Sequence, residues 1–344
     1  MATETVSVGF QGQPGAYSET VALNLFHGQP ELKEKTLSTT GYTSFEKVFE
    51  AVAAAEVQFG IVPIENSVTG IFYKVLDLLQ QHSLHIVGET TRHEQHSLVA
   101  LPGVSLSDIT QVHSHTFAID QCSIFLATLD PKVSVVQTVD TAASAQSIKT
   151  NDLRNVAAIT GMRAAELYGM TALQRGIEDD PNNVTRYVLV ALEPVVPQRH
   201  TDPKTSISVV LKNQTGAMVK ALSCFSLRDV NVCKIESRPS SRSIRLTKPW
   251  EYVMYIDVDG SITDPSITNA VRHLQEFSKI RILGSYPRYS QPSQPWPRNI
   301  WNWNVNTRFF PHLNSLDFKA AHFQCCLPFL NSPRELGLHH QYLK

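Results

Sequence analysis

The sequence lacks the features that mark several classes of protein. Its 344 residues include 30 basic and 31 acidic side chains, and the formal net charge of −1 gives no electrostatic basis for binding nucleic acid or an anionic membrane. It contains no run of 18 or more apolar residues, so we expect no segment that spans a membrane. Residues 1–5 have neither the basic nor the apolar part of a signal peptide. We therefore expect a cytoplasmic protein.

Cysteine is also scarce, and its positions argue against two kinds of cross-linked fold. Of the five cysteines only Cys325 and Cys326 lie close together, so the spacing matches neither a disulfide framework nor a zinc site. Two pairs of histidines, at 93 and 96 and at 113 and 115, lack a third ligand at a recognisable metal-binding spacing. We expect no metal. We also expect buried thiols at the cysteines in segments of apolar periodicity: Cys122, Cys224 and Cys233.

Strands and helices alternate through the first 190 residues. Thr43 and Glu46 have the spacing of a capping box, and the apolar residues that follow predict an amphipathic helix. Gly169 is placed to end another helix. This rhythm predicts an α/β domain with mainly parallel sheets. The expected strands lie near 59–62, 84–87, 98–101, 133–136 and 156–159, and the expected helices near 116–129 and 141–149.

A second domain follows a proline-containing linker at residues 193–204. Asp264 and Pro265 predict the start of a helix in it. Its elements read in the order βαββαβ, which is the ferredoxin-like plait. We expect strands at 206–211, 230–236, 252–258 and 281–284, and helices at 216–227 and 265–278. The remaining segment, 289–344, is rich in proline and tryptophan, and its apolar residues follow neither the helical nor the strand period. We expect an atypical, disordered tail.

The most informative stretch is residues 178–191, in which a turn precedes a β-branched apolar strand. Thr185 and Arg186 stand at the mouth of that strand, where a sheet presents side chains to a ligand. Five further motifs occur in the chain: GFQGQPGAYSE (9–19), FGIVPIENSVTGI (59–71), VHSHTFAIDQC (112–122), TGMRAAELYGM (160–170) and GAMVKALSCFSLRDVNVCKIESRP (216–239).

In this order, the motifs resemble those of the prephenate dehydratases and the related arogenate dehydratases, which carry a C-terminal ACT regulatory domain. Tyr187 stands where the family usually has Phe, and Thr116 and Phe117 replace its usual Pro-Gln. The resemblance implies an α/β, two-lobed, periplasmic-binding-protein-like catalytic domain over 1–192, followed by a ferredoxin-like βαββαβ ACT domain over 205–288. The implied lobes are 1–83 plus 178–192, and 84–177.

The resemblance implies decarboxylative dehydration of prephenate to phenylpyruvate, in phenylalanine biosynthesis. Because aromatisation drives this reaction, we expect no cofactor. Two alternatives stay open: arogenate dehydratase activity, which gives phenylalanine directly, and a non-catalytic amino-acid sensor. The resemblance also implies phenylalanine as an effector and a homodimer or homotetramer.

The same motifs assign roles to individual residues. We expect catalysis by Thr185, Asn66, Ser114 and Gln121, with the hydroxyl of Thr185 donating to the departing hydroxyl group. We expect substrate contacts from Gly15, Ala16, Tyr17, Ser18, Glu65, Ser67, His115, Arg186 and Tyr187. We expect the effector to contact Gly216, Ala217, Met218, Glu236, Ser237, Arg238 and Pro239. From the residues alone, Glu65 either orients a donor or pairs with a cation, and His115 either assists electrostatically or caps a helix.

Overall fold

A computed structural model describes residues 5–27, 35–197, 202–239 and 252–288. The tail expected at 289–344, with Cys325 and Cys326, lies outside the described residues. Within the described ranges, no helix is long and apolar enough to cross a membrane.

The first sheet has the strand order β2-β1-β3-β11-β5, with the short strand β4 paired to β3. Strands β1, β2 and β3 are parallel, whereas β11 runs antiparallel to both of its neighbours. The strands are β1 (Thr5–Gln11), β2 (Thr36–Tyr42), β3 (Phe59–Asn66), β4 (Gly70–Ile71), β5 (His85–His93) and β11 (Val184–Ala191). The helices of this lobe are α1 (Tyr17–His27), α2 (Phe45–Ala53) and α3 (Tyr73–Gln81).

The cap of α2 differs from the expected one by a single residue. Ser44, and not Thr43, is the N-cap, and its hydroxyl accepts from the backbone N–H of Lys47 at 3.4 Å. The capping box predicted between Thr43 and Glu46 is therefore wrong, although the amphipathic helix behind it is present with Val48, Phe49 and Val52 buried.

The second sheet has the strand order β10-β6-β9-β7-β8. Its strands are β6 (Ser97–Ala100), β7 (Gln111–His115), β8 (Ser134–Thr138), β9 (Val156–Thr160) and β10 (Thr171–Arg175). Its helices are α4 (Thr116–Asp120), α5 (Ser123–Leu126), α6 (Thr141–Thr150) and α7 (Met162–Leu167). Gly169 has φ +63° and follows the last turn of α7, as predicted for a helix-ending glycine.

The single helix expected over 116–129 is divided into α4 and α5. The division has a cause that is distant in sequence, because the carboxylate of Asp179 accepts from the backbone N–H groups of Ser123 and Ile124, both at 2.9 Å. This cap starts a new helix directly after Gln121 and Cys122, and the side chain of Gln121 is buried at the division.

The two-lobed α/β architecture is confirmed, but the chain crosses between the lobes later than expected. Strand β5 lies in the first sheet, where it pairs with β11 along most of its length. The chain therefore passes from the first lobe to the second after His93 and not at residue 83, because residues 85–93 form the strand that pairs with one edge of β11.

The third sheet has the strand order β13-β14-β12-β15, and the elements follow one another as βαββαβ. The predicted ferredoxin-like plait is confirmed. Its strands are β12 (Pro203–Leu211), β13 (Val232–Pro239), β14 (Tyr252–Asp259) and β15 (Ser278–Pro287), and its helices are α8 (Ala217–Ser226) and α9 (Pro265–Gln275). Cys122 and Cys224 are buried as expected, but Cys233 is exposed because it lies on the edge strand β13.

The third sheet packs directly against the first lobe. Gly284 of β15 lies so close to β5 that an added Cβ would come within 2.1 Å of the Ile86 carbonyl oxygen. The Arg281 guanidinium donates to carbonyl oxygens after α3, including that of His82 at 2.5 Å and that of Leu84 at 2.9 Å. Apolar side chains of both domains form one core cluster, with Tyr255, Leu283 and Tyr286 packed among Leu76, Leu79 and Ile86.

Candidate active site

A cavity of about 400 Å³ lies between the two lobes of the first domain. The first lobe contributes Tyr17, Asn66 and Thr185, and the second contributes His115 and Gln121. Ala16, Ser18 and Tyr187 also line it, so the structure brings together eight of the residues that the sequence assigned to catalysis or substrate binding.

Strand alternation decides which residues of β3 and β11 face the cavity. Thr185 pairs with Asn66 and Arg186 pairs with Glu65, because the two strands are antiparallel. Successive side chains of a strand point to opposite faces. Thr185 and Asn66 therefore enter the cavity, whereas Arg186 and Glu65 leave from the other face of the sheet.

Two backbone amides fix the orientation of Asn66. Its Oδ1 accepts from the N–H groups of Val68 and Thr69, both at 2.9 Å, so its Nδ2 faces the other way. That Nδ2 donates to the hydroxyl of Thr185 at 2.8 Å and to Oδ1 of Asn183 at 2.7 Å. Because Thr185 accepts this bond, its own proton is available to another acceptor.

The same constraint propagates to the second lobe. Gln121 presents Nε2 to Asn66 Oδ1 at 3.3 Å, so its Oε1 accepts from Nδ2 of Asn183 at 2.9 Å and faces Nε2 of His96 at 2.7 Å. His96 then carries its proton on Nε2, and its Nδ1 accepts from the hydroxyl of Tyr17 at 2.6 Å. Burial lowers the pKa of His96, which favours this neutral form.

Glu94 adds a carboxyl group that lines the same cavity and interacts with Thr185. The hydroxyl of Tyr187 donates to its Oε1 at 2.7 Å. Burial raises the pKa of Glu94 above its ordinary value, and Arg92, Tyr187 and Thr185 offset part of that rise. Sequence reasoning missed Glu94, His96 and Asn183. The polar run 94–96 ahead of the apolar strand β6 was a usable signal, but its histidine was weighed only as a metal ligand.

Three helix N-termini face the cavity. The lining includes the first residues of α1, the N-cap region of α2, and Asp140 and Thr141 at the start of α6. Each N-terminus carries a partial positive charge, which favours anions at this end of the cavity. Part of that capacity is already used, because Ser44 accepts from the N–H of Lys47 in α2 and Asp140 accepts from those of Ala142 and Ala143 in α6. Gly15, with φ +94°, allows the start of α1 to approach α7, since an added Cβ would lie 2.8 Å from the Cα of Ala164.

Aromatic rings close another part of the cavity. Phe117, one of the two residues that replace the family's Pro-Gln, meets the ring of Phe72 from the other lobe edge-to-face at 5.3 Å. His115 caps α4, with Nδ1 accepting from the N–H of Phe117 at 3.2 Å, and it also lines the cavity. The capping alternative for His115 is therefore present, and it is compatible with a ligand contact. Burial lowers the pKa of His115.

Besides Glu65 and Arg186, three assigned residues lie outside the cavity lining. The Ser114 hydroxyl is buried and donates to the carbonyl oxygen of Ile159 at 2.7 Å. Ser67 is exposed, and its hydroxyl accepts from the N–H of Val184 at 2.9 Å. The N–H of Gly15 donates to Glu19 at 2.7 Å. Roles for these three in the reaction stay predictions.

The cavity and its motifs agree with comparisons to known proteins. The family model for prephenate dehydratase matches residues 8–195. The chain belongs to the prephenate dehydratase family. It is 40% identical over 301 residues to arogenate dehydratase 1 of Petunia hybrida, covering 85% of this chain and 69% of that protein. It is 41% identical over 292 residues to the chloroplastic arogenate dehydratase/prephenate dehydratase 1 of Arabidopsis thaliana, covering 82% of this chain and 72% of that protein.

A solved structure is similar over both domains of the dehydratase. The prephenate dehydratase of Arthrobacter aurescens, solved in complex with L-Phe, superposes with a TM-score of 0.72 at 33% identity. The match covers 85% of this chain and 92% of that one. The protein is therefore a dehydratase, a hydro-lyase of this family.

Arg186 of the dehydratase does not reach the cavity but lies between the domains. Its guanidinium pairs with Glu65 at 2.6 Å, Glu89 at 2.7 Å and Asp257 of β14 at 2.9 Å. Burial disfavours the charged form, yet these carboxylates keep the pKa of Arg186 well above its ordinary value. We call this set, with the two lysines that complete it, the interdomain charge cluster: Glu65, Glu89, Arg186, Lys204, Lys234 and Asp257.

The sequence left two roles open for Glu65, orienting a donor or pairing with a cation. The structure shows the second, because Glu65 pairs with Arg186 and Lys234. The substrate contact expected from Arg186 is not formed by this geometry, because alternation along β11 directs Arg186 away from Thr185's side of the sheet. The helix N-termini remain to neutralise an anionic ligand.

A second cavity, of about 390 Å³, lies in the plait domain of the dehydratase. Four of the residues that the sequence assigned to an effector line it: Gly216, Ala217, Met218 and Ser237. Their role in effector binding stays a prediction. Gly216 is the N-cap of α8 with φ +75°, a conformation that glycine adopts without strain.

The other residues assigned to the effector point elsewhere. Glu236 accepts from the hydroxyl of Tyr73 at 3.0 Å, and Arg238 pairs with Asp77 at 2.7 Å, so both contact α3 of the catalytic domain. Arg238 also lies over the Tyr73 ring, 4.9 Å from its centroid. Pro239 is the last residue of β13 and is absent from this lining. One strand thus faces the second cavity through Ser237 and the catalytic domain through its neighbours.

Proposed function

We propose that this dehydratase converts prephenate to phenylpyruvate, carbon dioxide and water. The observation that carries the proposal is the hydroxyl of Thr185, which is held by Asn66 within a cavity between two lobes. A volume of about 400 Å³ suits a small ligand. The N-termini of α1, α2 and α6 supply binding for its carboxylates.

The chemistry follows from that placement. The ring carboxylate leaves as carbon dioxide, and its bonding electrons enter the ring as the C4 hydroxyl departs. Thr185 donates its free proton to the departing oxygen, while Asn66 keeps the threonine oxygen oriented. Positioned proton donors contribute roughly 10²–10⁴-fold to rate. Since the developing aromatic ring supplies the driving force, the protein has to bind and orient the substrate and to protonate the departing hydroxyl group.

Turnover by purified protein tests this proposal. Phenylpyruvate formation from prephenate should be visible by ultraviolet absorption, and Thr185→Val should reduce kcat by about 10²-fold or more. Thr150→Val, on the exposed end of α6, is the matched control and should retain wild-type turnover. Near-normal kcat in Thr185→Val would refute the role of this hydroxyl.

Arogenate is the second candidate substrate, and its ammonium group gives the cavity a reason to prefer it. The carboxyl groups of Glu46, Glu94 and Asp140 line the cavity, whereas the lining cation Lys74 is already paired with Glu46. An ammonium in place of the keto oxygen would add a partner for one of these carboxyls. Comparing kcat/KM for the two substrates decides between them. A protein that turned over neither would instead support the sensor alternative.

We further propose that residues 205–288 form an ACT domain that binds phenylalanine in the second cavity. The plait topology, the lining by Gly216–Met218 and Ser237, and the L-Phe complex of the Arthrobacter aurescens enzyme support this. Calorimetry with phenylalanine should detect binding at millimolar concentration or below. Ala217→Phe, which fills the cavity, should abolish it, whereas Arg228→Ala outside the lining should not.

The family resemblance implies an effector site between paired ACT domains, so we propose a homodimer or homotetramer. Light scattering on the eluting protein measures the assembled mass, with and without phenylalanine. A monomer in both conditions would contradict the paired arrangement.

A further inference from the structure

Thr185 needs a source of protons. Its hydroxyl accepts from Nδ2 of Asn66 at 2.8 Å, and the orientation of that amide is fixed by two backbone N–H groups. A threonine hydroxyl is a weak acid, so a proton lost to the departing oxygen has to be replaced as it leaves. Asn66 holds its own protons too tightly to replace it, because amides do not titrate near neutral pH.

Glu94 is the titratable side chain placed to do so. It is 5% exposed and lines the cavity beside Thr185. Its Oε1 accepts from the hydroxyl of Tyr187 at 2.7 Å, while its Oε2 makes no hydrogen bond of standard geometry in the described ranges. The neighbouring Thr185 hydroxyl also interacts with this carboxyl and lowers its pKa. Arg92 lies near that second oxygen, but Nε is 3.8 Å away and makes no hydrogen bond to it. A buried oxygen without a donor in standard geometry suits a protonated carboxyl.

Burial favours the acid form of Glu94, and this effect outweighs the opposite effects of Arg92, Tyr187 and Thr185 on its pKa. From β11 it faces Tyr187 and Thr185, from its own segment Arg92, and from α1 the ring of Tyr17. Of these groups only Arg92 is charged at neutral pH, because burial raises the pKa of both tyrosines. Burial likewise raises the pKa of Glu94. A carboxyl with a raised pKa holds its proton at the pH where it must deliver it.

We propose that Glu94, as a carboxylic acid, supplies the proton that Thr185 delivers to the departing hydroxyl group. The proton on Oε2 passes to the Thr185 oxygen as the threonine proton passes to the oxygen on C4. The C4–O bond breaks to give water, the ring carboxylate leaves as carbon dioxide, and Glu94 is left ionised. A proton from solvent restores the acid after product leaves. This inference rests on the proposed dehydration and goes beyond it by assigning the proton source.

A purely structural role for Glu94 makes a different prediction for pH dependence. If Glu94 supplies the proton, kcat falls as pH rises through its pKa. Glu94→Gln keeps the shape of the side chain and can still accept from Tyr187, but it cannot deliver a proton. We expect kcat to fall about 10²-fold or more, with KM within a few-fold of wild type, and the alkaline fall in kcat to disappear. Glu94→Asp should retain part of the rate and the alkaline fall.

Tyr187→Phe is the second variant. Because the family usually has Phe at this position, we expect this variant to fold. The bond from Tyr187 lowers the pKa of Glu94, so removing it should move the alkaline fall in kcat to higher pH. Glu166→Gln, on the exposed side of α7, is the control and should behave as wild type. Thermal melts of every variant show which of them are folded.

The outcomes separate this inference from the proposed function. Wild-type protein inactive on both prephenate and arogenate removes the dehydration and the proton assignment together. Active wild type with an unchanged kcat–pH profile in folded Glu94→Gln removes the proton assignment alone. If Glu94→Gln does not fold, an unshifted profile in Tyr187→Phe removes it instead. The proton assignment is supported if the alkaline fall in kcat disappears in Glu94→Gln and moves to higher pH in Tyr187→Phe.

Discussion

Arg186 should be worth more to stability than any surface ion pair of this dehydratase. Its guanidinium is 9% exposed and contacts Glu65, Glu89 and Asp257. Arg186→Met keeps much of the apolar stem and removes the charge. Removing one partner from a buried ion pair costs about 3–5 kcal/mol, because the other partner is left buried without compensation.

The remaining members of the interdomain charge cluster show which carboxylate would lose its compensating charge in Arg186→Met. Glu89 keeps Lys204 at 2.8 Å, and Glu65 keeps Lys234 at 3.2 Å. Among the described residues, Asp257 keeps the hydroxyl of Ser206 as a hydrogen-bond donor at 2.6 Å, and it is 7% exposed. Lys204 and Lys234 act on it only at longer range. The variant therefore leaves one buried carboxylate poorly compensated. For a protein of this size we expect the Tm to fall by on the order of 10 °C.

The pH dependence gives this prediction a second readout. In the wild type, burial raises the pKa of Asp257, but Arg186 and other cations hold it below its ordinary value. A lowered folded pKa stabilises the protein above the unfolded value of about 3.9, and that contribution is lost as pH falls through the folded value. Without Arg186 the folded pKa should rise, so ionised Asp257 then opposes folding.

Thermal melts of wild type and Arg186→Met from pH 7 to pH 4 provide the assay. The difference in Tm should be widest at pH 7 and should narrow as Asp257 becomes protonated in the variant. Lys47→Met is the control, because Lys47 and Glu50 form a pair that is more than half exposed and should contribute little. Equal Tm values for Arg186→Met and wild type at pH 7 would refute the reasoning, as would a difference that does not narrow.

Three further results are expected. Thr185→Ser should retain more kcat than Thr185→Val, since it keeps the hydroxyl; equal rates would contradict a proton-donating role. Gly15→Ala should destabilise by roughly 1–3 kcal/mol in thermal melts, because the residue has φ +94° and its Cβ would meet Ala164; an unchanged Tm would show that the turn adapts. Arg238→Ala should leave phenylalanine binding within a few-fold while reducing its effect on kcat, because the pair with Asp77 joins β13 to the catalytic domain; full loss of binding would place Arg238 in the effector site.

The sequence predicted the order of elements better than their contacts. The α/β alternation and the βαββαβ order are confirmed because period and turn residues are local signals. The division of α4 from α5 was missed because its cause is Asp179, 56 residues from Ser123. The early lobe boundary has a similar explanation, since β5 is defined by pairing with the distant strand β11.

The candidate site divides in the same way. Thr185, Asn66 and Gln121 meet in one hydrogen-bonded chain, and motif resemblance alone identified them. Glu94 escaped notice because a carboxylate in a polar run is normally solvated, and only the fold buries it. Arg186 was assigned to substrate by its position beside Thr185 in sequence, although neighbours in a strand face opposite sides.

The placement of β11 also has a consequence for synthesis of the chain. This strand lies between β3 and β5, yet it is made after the whole second lobe. While the ribosome extends the chain, β3 and β5 each lack the partner that joins them, and their unpaired edges are open to other chains. Thr185 arrives on that same strand. A nascent chain therefore acquires the Thr185 hydroxyl only in the step that closes its first sheet, and an N-terminal product that ends before β11 lacks this part of the cavity.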